Sequence, residues 1–82
     1  MLAYAIRVYL EDGSWYYAQN HGYGQVQVSL TSDIGSAICF RTLDEARDYY
    51  YKYIRNSRDK STGLRVDNSR TSCVQVETFS RY

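Results

Sequence analysis

The chain lacks proline entirely and holds one histidine, one methionine, two cysteines and two phenylalanines. Each scarcity excludes something. A zinc centre needs about four ligands, and His21 finds neither a second histidine nor a C-x-x-C pair to complete one. The same lone histidine leaves the Ser, Thr and Cys hydroxyls and thiols without an evident positioned base, so no nucleophilic site assembles. Cys39 and Cys73 do not make a disulfide framework. Both sit in apolar, strand-like runs that suit free buried thiols, and a bridge between them requires their strands to be neighbours. No stretch approaches the roughly 20 consecutive apolar residues of a membrane span. The opening run MLAYAIRVYL alternates and is interrupted by Arg7, unlike a signal peptide. Net charge is +1, which gives no bulk electrostatic case for nucleic acid. Absence of catalysis, cofactor, metal and membrane is therefore the expectation, with residence in the cytoplasm by default.

What the chain does have is tyrosine, ten in 82 residues, and one strong helix signal. That length makes a single domain over residues 1–82. The stretch 42–55, TLDEARDYYYKYIR, opens with Thr42 and Glu45 in a capping-box arrangement. Asp44 and Glu45 fall in its first turn, Lys52 and Arg55 in its last, and Asp48 pairs with Lys52 at i,i+4, all in the sense the helix dipole favours. Helical spacing puts Leu43, Ala46, Tyr50, Tyr53 and Ile54 on one apolar stripe, with Tyr49 and Tyr51 half exposed on its flanks.

Elsewhere the period is two. Residues 3–10 alternate, with Tyr4, Ile6, Val8 and Leu10 on one face. Asp12-Gly13 then reads as a two-residue hairpin loop. That register sets Leu10 opposite Trp15, Val8 opposite Tyr17 and Tyr9 opposite Tyr16, so Trp15 and Tyr17 face the core. Glu11-Asp12 is explained by the turn rather than as a catalytic acid pair. The stretch 20–24, NHGYG, reads as a flexible loop without phosphate-binding spacing. Residues 25–30 form a strand with Val26, Val28 and Leu30 inward, 31–36 turn around Gly35, and 37–40 form a short strand. After the helix, 56–63 is polar loop, 64–66 a short strand, and 72–79 a last strand with Val74 and Val76 inward. The predicted fold is α+β, an antiparallel sheet of four to five strands packed against one helix at about residues 42–55.

This arrangement explains Tyr4, Tyr17, Tyr50 and Tyr53 and leaves Tyr9, Tyr16, Tyr23, Tyr49, Tyr51 and Tyr82 without a structural task. Tyrosine is enriched at interfaces because it buries a large area at low entropic cost. Tyr9, Tyr16, Tyr23, Tyr49 and Tyr51 are thus the expected protein-binding anchors. Residues 55–82 hold six Lys/Arg against three acids, while 1–54 hold four against six. Arg55, Arg58, Lys60, Arg65 and Arg70 are the candidate contacts for phosphate or an acidic partner, with Asp59 and Asp67 interrupting them.

The junction 37–46 has the form A-x-x-F-x-T-x-x-E-A, preceded by a D-G hairpin and followed by a V-x-V strand. In this it resembles small phage-encoded ββ…αβ proteins whose loose class includes anti-CRISPR proteins. The resemblance implies a non-enzymatic inhibitor that binds a host protein, such as a Cas nuclease or its RNA-guided complex, and blocks it sterically. F-x-T-x-x-E-A is similar also to AP2-type domains, whose exposed strands read DNA with Arg and Trp. Here Tyr9, Tyr16, Gln25 and Gln27 are expected at those outward positions. A nucleic-acid-binding module and a homodimer joined at an open sheet edge are the alternative readings.

Overall fold

The first strand settles the core. In β1, Leu2–Tyr9, alternate residues Ile6 and Val8 are fully buried, as is Leu10 just beyond. They meet Ala18, Val28, Ala46, Ile54 and Val66 in one hydrophobic cluster. A computed structural model describes residues 2–21 and 27–77 of the chain. In it β1 is followed by β2 (Trp15–His21), β3 (Gln27–Thr31), α1 (Leu43–Tyr49), β4 (Arg58–Asp59) and β5 (Ser72–Glu77). The five strands form one sheet in the order β4-β3-β2-β1-β5. Only the β3–β4 pair is parallel. The fold is α+β as expected, its sheet mixed but mostly antiparallel. Residue 23 and residues 78–82, with two of the unexplained tyrosines, lie outside the described residues.

The helix begins where its cap predicts. Thr42 Oγ1 accepts the Glu45 N–H at 3.2 Å, and the Thr42 hydroxyl donates to the Glu45 carboxylate at 3.1 Å. The carboxylate thus takes the hydroxyl rather than the Thr42 N–H of a full capping box. Asp48 and Lys52 pair at 3.1 Å. After Tyr49 the chain widens into a π-turn, Tyr50–Ile54, in which the Arg55 N–H reaches back five residues to the Tyr50 carbonyl at 2.9 Å. Tyr49 lies beside Tyr53, four residues on, with ring centroids 4.9 Å apart. This corrects the expected stripe. Tyr49 packs against the core cluster, while Tyr53 is 41% exposed. The segment ends at Asn56, which takes the left-handed conformation (φ 64°) that Asn tolerates. Asn68 clamps that end: its Oδ1 accepts the Tyr50 hydroxyl at 2.9 Å and the Asn56 N–H at 3.3 Å, and its amide donates to Asn56 Oδ1 at 2.8 Å.

The hairpin differs from the expected one by a single residue. The Leu10 N–H bonds the Ser14 carbonyl at 2.8 Å and the Gly13 N–H bonds the Leu10 carbonyl at 2.9 Å, so the loop is Glu11-Asp12-Gly13. Arg7 now pairs with Tyr17, Val8 with Tyr16 and Tyr9 with Trp15. In this loop only Gly13 has positive φ, 90°, as a three-residue turn closed by a glycine bulge requires. A two-residue loop would need positive φ at Asp12 as well. The Asp12 carboxylate instead accepts the Ser14 hydroxyl at 2.6 Å and the Ser14 N–H at 3.0 Å. These bonds hold the Asp12 carboxyl below its ordinary value. Their contribution is therefore present above the ordinary carboxylate pKa and is lost as pH falls through the lowered value.

A Cβ at Gly13 would meet nothing within 4 Å, so Gly13→Ala carries a purely conformational penalty. We expect a loss of about 1–2 kcal/mol in urea denaturation, with Gly13→Asn losing less. A neutral Gly13→Ala would contradict this turn.

A one-residue slip moves every side chain to the other face. Trp15 and Tyr17 therefore join Arg7 and Tyr9 on the face away from the helix, and Tyr16 shares the helix side with Val8 and Ala18. The expected core placement of Trp15 and Tyr17, and the expected Tyr9–Tyr16 pair, do not occur. Val74 and Val76 are likewise reversed. They pair with Ala5 and Ala3, while Cys73 and Gln75 pair with Ile6 and Tyr4 on the helix side. The small alanines of β1 leave room for the valines, making that end of the outer face apolar too.

Residues 37–40 form no separate strand. β1 and β2 pair only over residues 7–9 on the β1 side. Where they diverge, Phe40 exchanges two 2.8 Å bonds with Tyr4, and the Ile38 N–H reaches the Ala18 carbonyl at 3.0 Å. β1 thus lies between this segment and β5, which keeps Cys39 from Cys73. Both thiols are free, and partial burial pushes both pKa values up. The expected loop after the helix instead contributes β4, and the expected strand at 64–66 makes only single bridges, Arg65 with Arg58 and Val66 with Leu10. Asp59 is buried in this turn, accepting the Ser61 and Thr62 N–H groups and the Thr62 hydroxyl. The loop expected at 20–24 likewise gives Asn20 and His21 to β2.

Candidate protein-binding surface

The face of the sheet opposite the helix is where the unexplained aromatic residues gather. On this side lie Arg7 and Tyr9 from β1, with Ala3 and Ala5 buried among them; Trp15 and Tyr17 from β2; and Val74 and Val76 from β5. Trp15 stands at the centre of the aromatic part. Its ring meets Tyr17 edge-on at 5.5 Å between centroids and Tyr9 at 6.3 Å. The Arg7 guanidinium lies 4.6 Å from the centroid of the Trp15 ring. Arg7 Nε is buried and has no hydrogen-bond partner. Trp15 remains 42% exposed. Aromatic packing holds these rings in place without hiding them.

The backbone beneath is firm. The Tyr9 N–H bonds Thr71 Oγ1 at 3.1 Å, and the Tyr9 carbonyl accepts the Asp67 N–H at 2.7 Å. The 67–71 turn therefore braces the end of β1. That turn is drawn tight by Asp67, which accepts the Ser69 hydroxyl at 2.7 Å and pairs with Arg70 at 3.7 Å. The Ser69 hydroxyl bond is the main cause of a lowered Asp67 pKa.

The expected anchors are dispersed. Tyr9 belongs to the outer face. Tyr16 is on the helix side of β2 and is 36% exposed at its margin. Tyr49 is half-buried between Phe40 and Tyr53. Tyr51 is the most exposed of the described tyrosines at 64%, with the Arg55 guanidinium 5.5 Å from its ring centroid. Tyr23 lies outside the described residues.

The basic residues also divide. Arg58 and Arg65 face each other across a bridge at the β4 edge, with Lys60 two residues on. Arg58 Nη1 donates to the Gly63 carbonyl at 3.0 Å. Arg70 is held by Asp67, and Arg55 by Tyr51, so the five do not make one patch.

Trp15 and Tyr17 are the surface residues that sequence reasoning missed, because the two-residue loop turned both rings inward; the alternation of β1 already set Arg7 on the outer face. The discriminating signal was the serine after D-G. Asp12 with Ser14 favours a turn in which Asp stays at negative φ.

Among the described residues no group of three or more His, Cys, Asp or Glu side chains is placed to hold a metal, and no helix is long and apolar enough to cross a membrane. The fold defines a small α+β protein with one covered and one aromatic sheet face. No protein-family model, curated protein or solved structure matches the chain.

Proposed function

We propose that this chain is a non-enzymatic binding protein of the phage-encoded inhibitor type, which docks its outer sheet face on a host protein machine and blocks it sterically. The observation that carries the reading is the Tyr9–Trp15–Tyr17 cluster with Arg7, set on paired strands and uncovered by the helix. Rigid aromatic and arginine side chains at the centre of a face are the residues that dominate binding energy in protein interfaces. The target class, a CRISPR-Cas effector nuclease in the bacterial cytoplasm, rests on the sequence resemblance alone.

A pull-down from bacterial lysate, with and without nuclease, tests the proposal. The expected result is a stoichiometric protein partner that survives nuclease and is lost with Trp15→Ala. Capture of nucleic acid and its passengers only, abolished by nuclease, would overturn it.

That second outcome belongs to a reading favoured by one feature of the same surface. An arginine stacked on tryptophan beside two tyrosines is also a platform on which single-stranded bases stack. Arg58, Lys60 and Arg65 would then track phosphates, and binding would weaken steeply with salt.

A further inference from the structure

A second aromatic cluster lies on the other side of the fold, around the helix. Glu45, Asp48, Tyr49, Lys52 and Tyr53 recur at three- and four-residue spacing along one helical flank, beside the Ala46–Ile54 stripe. With Phe40 they line an open cleft of about 250 Å³. Drug-sized ligands occupy pockets of roughly 300–1,000 Å³, so this cleft suits a single side chain or head group.

Half of its lining residues are aromatic. Phe40 and Tyr49 are 5.1 Å apart with planes inclined at 49°, and Tyr49 and Tyr53 are 4.9 Å apart at 57°. The rings are inclined rather than stacked flat, and aromatic rings attract cations. Two carboxylates, Glu45 and Asp48, stand on the rim against one ammonium, Lys52. Asp48 and Lys52 are paired at 3.1 Å, but their side chains are 64% and 61% exposed. Such solvated pairs hold weakly, so Asp48 can exchange Lys52 for another cation. Glu45 accepts the Thr42 hydroxyl through one oxygen, and a carboxylate has about four acceptor positions, which leaves capacity for a second donor.

We propose that this cleft receives an alkylammonium group, the head of a lysine side chain presented by a partner protein. The three rings take the aliphatic stem and the face of the charge, and Glu45 with Asp48 take its N–H donors. The site is independent of the outer sheet face and stands or falls separately from the function proposed for that face.

The test is an NMR titration of the whole chain with Nα-acetyl-lysine methylamide, against the norleucine analogue, which has a comparable aliphatic stem and no charge. The expected result is saturable shifts of the Tyr49 and Tyr53 ring signals with the lysine probe and none with norleucine. Tyr53→Ala, at an exposed position, should weaken binding about two- to fivefold. Lys52→Gln should strengthen it, because it removes the competing ammonium while leaving Asp48 in place. Equal shifts with both probes, no saturable shift with lysine, or weaker binding by Lys52→Gln would each overturn the proposal.

Discussion

Trp15→Ala is expected to weaken binding of the captured partner about thirtyfold or more, the effect of losing a central tryptophan worth about 2 kcal/mol. The indole contacts Tyr9, Tyr17 and Arg7 at once, so its loss removes the middle of the aromatic cluster and frees its neighbours. The fold itself should lose little. Trp15 is 42% exposed, and its cation–π contact with Arg7 is worth about 0.5–1 kcal/mol at such a site. Removal of the ring also opens Arg7 Nε to water, which offsets part of that loss. Isothermal calorimetry against the purified partner, with a melting curve for each variant, separates the two effects. The neighbouring ring is the control. Tyr16→Ala lies on the opposite side of β2 and should leave affinity within about twofold, as expected of a residue outside the contact. Equal sensitivity at Tyr16 and Trp15, or a neutral Trp15→Ala, would exclude the outer face as the binding surface.

Ile6→Ala is expected to cost about 2–5 kcal/mol in denaturant unfolding, the range for emptying a buried isoleucine site. Ile6 is fully buried at the centre of the cluster that joins β1 to the helix. Domains of this size have little stability to spare, within the general range of about 5–15 kcal/mol, so the variant should be partly unfolded at 37 °C. The instructive comparison is Val74→Ala. The valine is half-buried on the outer face, opposite Ala5, and its truncation should cost about 1 kcal/mol or less. Were Val74→Ala as damaging as Ile6→Ala, β5 would be paired with its valines toward the helix, and the register described above would be wrong.

The elements that could be read from the chain were those governed by local chemistry. Thr42 and Glu45 mark the helix start because the cap closes within four residues, and the alternation of β1 names Ile6, Val8 and Leu10 as core because period two is a property of the strand itself. Asp12-Gly13 locates the hairpin for the same reason. What local chemistry left open was sidedness. Two turns that differ by one residue share almost the same sequence, and the choice between them moved Trp15 and Tyr17 from the expected core to the exposed face. Val74 and Val76 were read inward because they are apolar, whereas their side depends on pairing with Ala5 and Ala3 some seventy residues earlier.

The proposed binding surface was legible as an excess of tyrosine and not as a place. Tyr9 alone of the expected anchors falls in the aromatic cluster of the outer face, and Trp15 and Tyr17, which complete it, were assigned by register rather than by residue type. The helix shows the same division. Its beginning is encoded next to itself, but the segment from Tyr50 to Asn56 is also tied to Asn68, a distant partner that no periodicity reports. The sequence by itself determined the class of fold, the core of β1 and the start of the helix, because those depend on neighbours along the chain. The tertiary structure decided which aromatic rings face outward and where β4 and β5 pair, because those depend on residues brought together from far apart.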